Sequence, residues 1–107
     1  MADWLGEFEQ VVLFAVVQLP DAYGASIRQE IERRTGRQPS AGAVYTTLER
    51  LETKGLLRSW VGEPTAQRGG RRRKFYALRP AGETALRQAY RAFTAMAGGF
   101  EARLEVK

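Results

Sequence analysis

Five of the seven residues Arg68-Gly69-Gly70-Arg71-Arg72-Arg73-Lys74 are cations. Like charges this close repel unless an anion lies among them, and a nucleic-acid duplex offers one phosphate charge per roughly 1.7 Å of its axis. The glycine pair permits close backbone approach and unusual φ/ψ values. The implied chemistry is anion binding rather than catalysis. The chain has no cysteine and no histidine. That excludes disulfides, thiolate or imidazole zinc sites, and Ser-His-Asp or Cys-His nucleophilic sites. The acidic residues are scattered, several beside basic ones, with no ligand spacing for Mg²⁺ or Ca²⁺. No metal, no cofactor and no enzymatic activity is therefore expected.

The net charge is +5, and its distribution is uneven. Residues 1–27 hold four acids and no Lys or Arg, while residues 28–79 hold 13 basic and 5 acidic residues, a local charge of +8. Residues 80–107 hold 4 basic and 3 acidic residues. One middle segment thus carries the positive excess, as a phosphate-binding surface would.

A second group of candidates lies just upstream. Ser40 reads as the N-cap of a helix whose buried stripe is Val44, Leu48 and Leu51. Around that helix, Gly42, Thr46, Glu49 and Thr53 point outward, Ala43, Thr47 and Arg50 lie on one flank, and Tyr45 and Glu52 on the other. The outward half is small, so the helix could sink into a major groove, where threonines hydrogen-bond bases or phosphates and touch thymine methyls. The candidate DNA-binding residues are Ser40, Gly42, Ala43, Tyr45, Thr46, Thr47 and Arg50, joined by Arg68, Arg71, Arg72, Arg73 and Lys74.

The surrounding elements must position these two groups. A chain of 107 residues suggests one compact unit with a limited core, and pairing would add stability. A first helix is expected from about Leu5 to Leu19, ended by Pro20. Its stripe is Phe8, Val12, Ala15, Val16 and Leu19, and further apolar residues around it imply burial on more than one side. A second helix is expected from an Asp21 N-cap, with stripe Tyr23, Ile27 and Ile31, and Gly36 just past its end. The helix from Ser40 closes at Lys54-Gly55. Residues 56–61 and 74–78 read as two strands, with Gly62 to Arg73 as the hairpin loop. Two short helices joined by a tight turn and followed by a hairpin make a winged helix-turn-helix, with the loop as wing. The expected fold class is mainly α with a small β-hairpin. Residues 1–79 would form the winged helix-turn-helix and residues 80–107 a C-terminal dimerisation helix.

That last helix starts at Pro80. Leu86, Tyr90, Phe93, Ala97, Phe100 and Leu104 are spaced 4, 3, 4, 3, 4, a heptad seam. With Phe8 and Val12 of the first helix, they form the expected interface of a homodimer. Gly98-Gly99 should bend or fray the helix. The apolar run Val11 to Leu19 is shorter than the roughly 20 residues a bilayer needs. Asp3, Glu7 and Glu9 give the segment before it the wrong charge for a secretory leader. The expected location is the cytoplasm, with no membrane partner.

These residues resemble the PadR family of transcriptional regulators over about residues 6 to 86. The resemblance is carried by Gly6-Glu7-Phe8-Glu9, Tyr23-Gly24, Ser40-Ala41-Gly42-Ala43-Val44-Tyr45, Leu48-Glu49-Arg50-Leu51, Lys54-Gly55-Leu56-Leu57, the run Gly70 to Leu78, and Ala81-Gly82. It implies a homodimer whose last helix pairs with the partner's first and last helices, and repression by binding double-stranded operator DNA. The single C-terminal helix resembles the short subtype. Arg79 stands where threonine often opens the last helix of the family, and Thr46 where it commonly has proline, the departure for which no operator sequence carries over. Some members bind planar molecules between subunits. The resemblance therefore implies a small aromatic effector, and Trp4, Phe8, Phe93, Met96 and Phe100 are the apolar residues available for it. The alternative reading is a winged-helix module for protein association, with the basic wing incidental.

Overall fold

A computed structural model describes residues 4–62 and 72–104. Helix α1 (Glu7–Gln18) leads into strand β1 (Ala22–Tyr23), then helices α2 (Gly24–Thr35) and α3 (Ala41–Thr53). Strands β2 (Leu57–Val61) and β3 (Lys74–Leu78) follow, then α4 (Pro80–Ala97) and α5 (Phe100–Leu104). The sheet is antiparallel in the order β1-β3-β2, with Ala22 opposite Tyr76, Tyr23 opposite Phe75, and Trp60 opposite Phe75 on the other side. This is a winged helix.

Two expectations need correction. The hairpin is part of a three-stranded sheet, because Ala22 and Tyr23 add a short strand to β3. The cap of α2 is consequently Tyr23 rather than Asp21. With Tyr23 extended in the sheet, Ser26 does the capping: its hydroxyl accepts from the Tyr23 N–H and donates to the Tyr23 carbonyl, both at 3.0 Å.

The core gathers Val12, Leu13 and Val16 of α1, Ile27 and Ile31 of α2, and Val44, Leu48 and Leu51 of α3, with Leu57 and Tyr76 from the sheet. Leu86 and Ala89 of α4 belong to the same cluster. Val12 and Leu86, expected at a dimer interface, are therefore packed inside their own chain, at 0% and 7% exposure. From Tyr90 onward the apolar residues of α4 and α5 are largely exposed. Helix α4 stops at Ala97, and Gly99 takes a φ of 82° before α5 begins, which is the interruption expected at the glycine pair.

An ion pair locks α1 to the end of α3. Glu9 is buried, accepts from the Gly6 N–H at 2.8 Å, and receives the Lys54 ammonium at 2.9 Å. Burial pushes the Glu9 carboxyl up, but the hydrogen bonds from Lys54 and Gly6 and the charges of Lys54 and Arg50 outweigh it and hold it below the ordinary value of 4.5. The folded state thus favours the carboxylate. Its contribution is complete above that ordinary value and is lost as pH falls through the lower folded one. Lys54→Met leaves a buried carboxylate with one partner fewer and should cost about 1–3 kcal/mol at pH 7. In urea unfolding at acid pH, where Glu9 is protonated in both proteins, the gap from wild type should narrow. A gap that stays constant would mean the pair is not its source.

Candidate nucleic-acid interface

Helix α3 is fixed at its start by its own sequence. The Ser40 hydroxyl accepts from the Ala43 N–H at 3.0 Å. Arg28 of α2 donates through Nε to the Pro39 carbonyl at 3.2 Å, which ties the turn between the two helices. Gly36 ends α2 at a φ of 78°, a conformation other residues rarely adopt. The two helix starts then border one recess of about 430 Å³, lined by Gly24, Ala25, Arg28, Ala41, Gly42 and Tyr45. The first N–H groups of a helix have no acceptor within it and form the positive end of its dipole. Two such ends and an arginine make this recess electropositive, with the room left by Gly24 and Gly42 facing outward. A Cβ at Gly24 would meet nothing within 4 Å, and one at Gly42 only the Ser40 hydroxyl at 4.0 Å.

The exposed face of α3 carries Gly42, Ala43, Tyr45, Thr46, Glu49 and Arg50. Tyr45 is 51% exposed, while Thr47 is only 5% exposed. Thr47 is therefore not free to contact a ligand. Val44, Thr47, Leu48 and Leu51 follow the i, i+3, i+4, i+7 pattern of a buried face, wider than the three-residue stripe taken from the sequence.

Among the wing residues, Arg72 and Arg73 are exposed. Arg68 and Arg71 lie outside the described residues. Lys74 is half-buried, and strand alternation turns it toward α3. Its ammonium is 3.5 Å from Glu52, which also accepts from the Ser59 hydroxyl. Tyr76 and Glu52 raise the Lys74 pKa above its ordinary value, so the ammonium stays charged and engaged. The Glu52 carboxyl is held low, first by Ser59 and also by Lys74, against a smaller effect of burial. Glu52 thus braces α3 to both strands of the wing. Sequence spacing did not show this, because Glu52, Ser59 and Lys74 lie on three different elements.

The family model for PadR-like transcriptional regulators matches residues 12–88. The chain belongs to that family. It is 40% identical over 77 residues to transcriptional regulator Rv3488 of Mycobacterium tuberculosis, across 72% of this chain and 67% of that one. It is also similar to the crystal structure of a PadR family transcription regulator from Clostridium difficile R20291, with 26% identity and a TM-score of 0.69 over 89% of this chain and 98% of that one. The crystal structure of Bacillus subtilis PadR in complex with operator DNA shares the fold, with 18% identity and a TM-score of 0.66 over 78% of this chain and 46% of that one. The family and these relatives are transcriptional regulators, not enzymes.

In this PadR-like chain the five residues considered for an effector do not meet in one recess of the protomer. Trp4 lies beside Thr84, Arg87, Gln88, Arg91 and Ala92 on one side of α4. Phe93 lies on the other side, in a groove of about 390 Å³ formed with Val11 and Phe14 of α1 and with Ala89 and Tyr90. Phe8 is half-buried, with the Arg37 guanidinium 5.4 Å above its ring, and Met96 and Phe100 line neither space. Within one protomer α4 stands between Trp4 and Phe93. Among the described residues, no cluster of His, Cys, Asp or Glu is placed to hold a metal, and no helix is long and apolar enough to cross a membrane.

Proposed function

We propose that this chain is a homodimeric, sequence-specific repressor that binds an inverted-repeat operator in the cytoplasm. The observation that carries the reading is the electropositive recess at the starts of α2 and α3, next to the exposed Tyr45 and Thr46. In this reading the first half of α3 enters the major groove and reads bases with Thr46 and Tyr45. The helix starts and the wing arginines hold phosphates, which sets register and affinity without reading sequence. Helices α4 and α5 mediate dimerisation, with Tyr90, Phe93, Ala97, Phe100 and Leu104 against the second copy. Two copies of α3 would then reach half-sites about 34–36 Å apart, one helical turn of DNA. The Bacillus subtilis relative seen on operator DNA supports the DNA-binding part. A small aromatic molecule bound between the two subunits would regulate by binding the DNA-competent and incompetent dimers unequally.

The test starts with the operator, recovered by selecting bound fragments from the source genome. Thr46→Ala should weaken operator binding by about 1–3 kcal/mol and leave random-duplex binding nearly unchanged, because a base contact is lost and no phosphate contact. Wild-type affinity should fall with salt along a log–log slope of about −0.9 per neutralised phosphate. A flat slope would favour a protein-association module instead. Equal losses on operator and random DNA would remove Thr46 from base reading.

A further inference from the structure

The outer face of the sheet carries a row of aromatic rings with an arginine at each end. The Arg73 guanidinium lies 4.3 Å from the centroid of the Tyr23 ring. Tyr23 meets Phe75 edge-on, with centroids 6.0 Å apart and ring planes at 82°. Phe75 stacks on Trp60 at 5.8 Å and 27°, and Arg58 lies 4.6 Å over Trp60. The row crosses all three strands. Its middle ring is tightly held, since a Cβ on Gly62 would come within 2.5 Å of the Phe75 ring. The backbone is fixed at the same level, because the Gly62 N–H donates to the Arg73 carbonyl at 2.8 Å.

The two arginines sit at opposite corners. Arg58 lies toward the start of β2, away from the wing. Arg73 lies at the root of the wing, over the residue that caps α2. Neither has an acidic partner among the described residues. A guanidinium in cation–π contact with a ring still offers its N–H donors, in a fork that suits a phosphate. Stacking also orders the side chain before a ligand arrives, which lowers the entropy lost on binding.

We propose that Tyr23 is a positioning residue for DNA binding. Its ring holds Arg73 ready as a phosphate ligand at the junction of the wing and α2, and Phe75 and Trp60 hold that ring in place. This inference rests on the DNA-binding reading given above. It assigns a role to a residue on β1, outside both the recognition helix and the wing loop.

The test uses the full chain and a fluorescein-labelled mixed-sequence 30-bp duplex, with anisotropy titrations over a range of NaCl concentrations. Arg73→Gln should weaken binding about five- to tenfold and lower the log–log slope by about 0.9. Tyr23→Leu should weaken it about two- to fivefold, the range of an exposed cation–π contact, whereas Tyr23→Phe keeps the ring and should match wild type. Once Arg73 is already Gln, adding Tyr23→Leu should change nothing further. Arg73→Lys keeps the charge and the slope but loses the planar fork of donors, so about two- to fivefold weaker binding is expected of this surface change too, whether or not Tyr23→Leu folds. The proposal is overturned if Tyr23→Leu weakens binding equally with and without Arg73, if Tyr23→Phe is as weak as Tyr23→Leu, or if Arg73→Lys equals wild type. A wild-type slope near zero would instead overturn the DNA-binding reading itself, and this inference with it.

Discussion

Phe93→Asp should sediment as a monomer and lose operator binding by about 10²–10⁴-fold, while its circular dichroism stays that of the wild type. The size follows from linkage. A dimer binds its second half-site at an effective concentration set by the first, and a monomer loses that gain without losing a single contact of its own α3. The position suits the test because Phe93 is 69% exposed in the protomer, so a charge there disturbs little packing within the chain. Tyr90, Met96 and Leu104 are also exposed on α4 and α5, and so is Val17 on α1. The groove beside Phe93 is floored by Val11 and Phe14, so a second α4 would bury apolar surface on both sides. An aspartate buried in that interface would have to lose its water. A variant that still sediments as a dimer would mean the seam lies elsewhere.

The sequence was most informative where local chemistry decides the structure. Ser40 as a cap, Gly36 at positive φ, Pro20 after α1, the two longer strands and the break at Gly98-Gly99 all depend on residues within a few positions of each other. The winged helix and the exposed part of α3 followed from those signals. The errors arose where distant segments decide. Strand β1 has two residues, too few to show alternation, and exists because β3 offers an edge to pair with. Val12 and Leu86 formed apolar stripes as a dimer seam would, but a stripe does not say which chain covers it. Thr47 is small and polar, yet Val44 and Leu48 carry it inward. Lys74 belongs to the basic run by sequence, but the pleat of β3 turns it to Glu52 while Arg73 faces out.

A buried glycine makes the last case, where neither composition nor periodicity gives warning. Gly82 is the third residue of α4 and is packed inward. A Cβ there would lie 2.1 Å from the Leu56 carbonyl oxygen and 3.0 Å from Leu78 Cδ2. The oxygen cannot withdraw cheaply, because it accepts the Arg79 N–H at 2.9 Å and follows Gly55, whose φ is 80°. Helix α4 therefore sits directly on the turn between α3 and β2. Gly82→Ala must push the two backbones apart, at about 1–3 kcal/mol or more, and each kcal/mol lowers the melting temperature of a chain this size by about 4–8 °C. Gly42→Ala makes the opposite case. Its added methyl meets open space on a helix, so it should leave stability unchanged or raise it by up to about 1 kcal/mol. Thermal unfolding of the two variants beside wild type reads both signs at once. Because α4 also carries Phe93, a helix tilted away from Leu56 would carry the proposed pairing face with it. Gly82→Ala protein that still folds should then dimerise more weakly than Gly42→Ala. A melting temperature for Gly82→Ala within about 2 °C of wild type would show that α4 does not rest on that carbonyl.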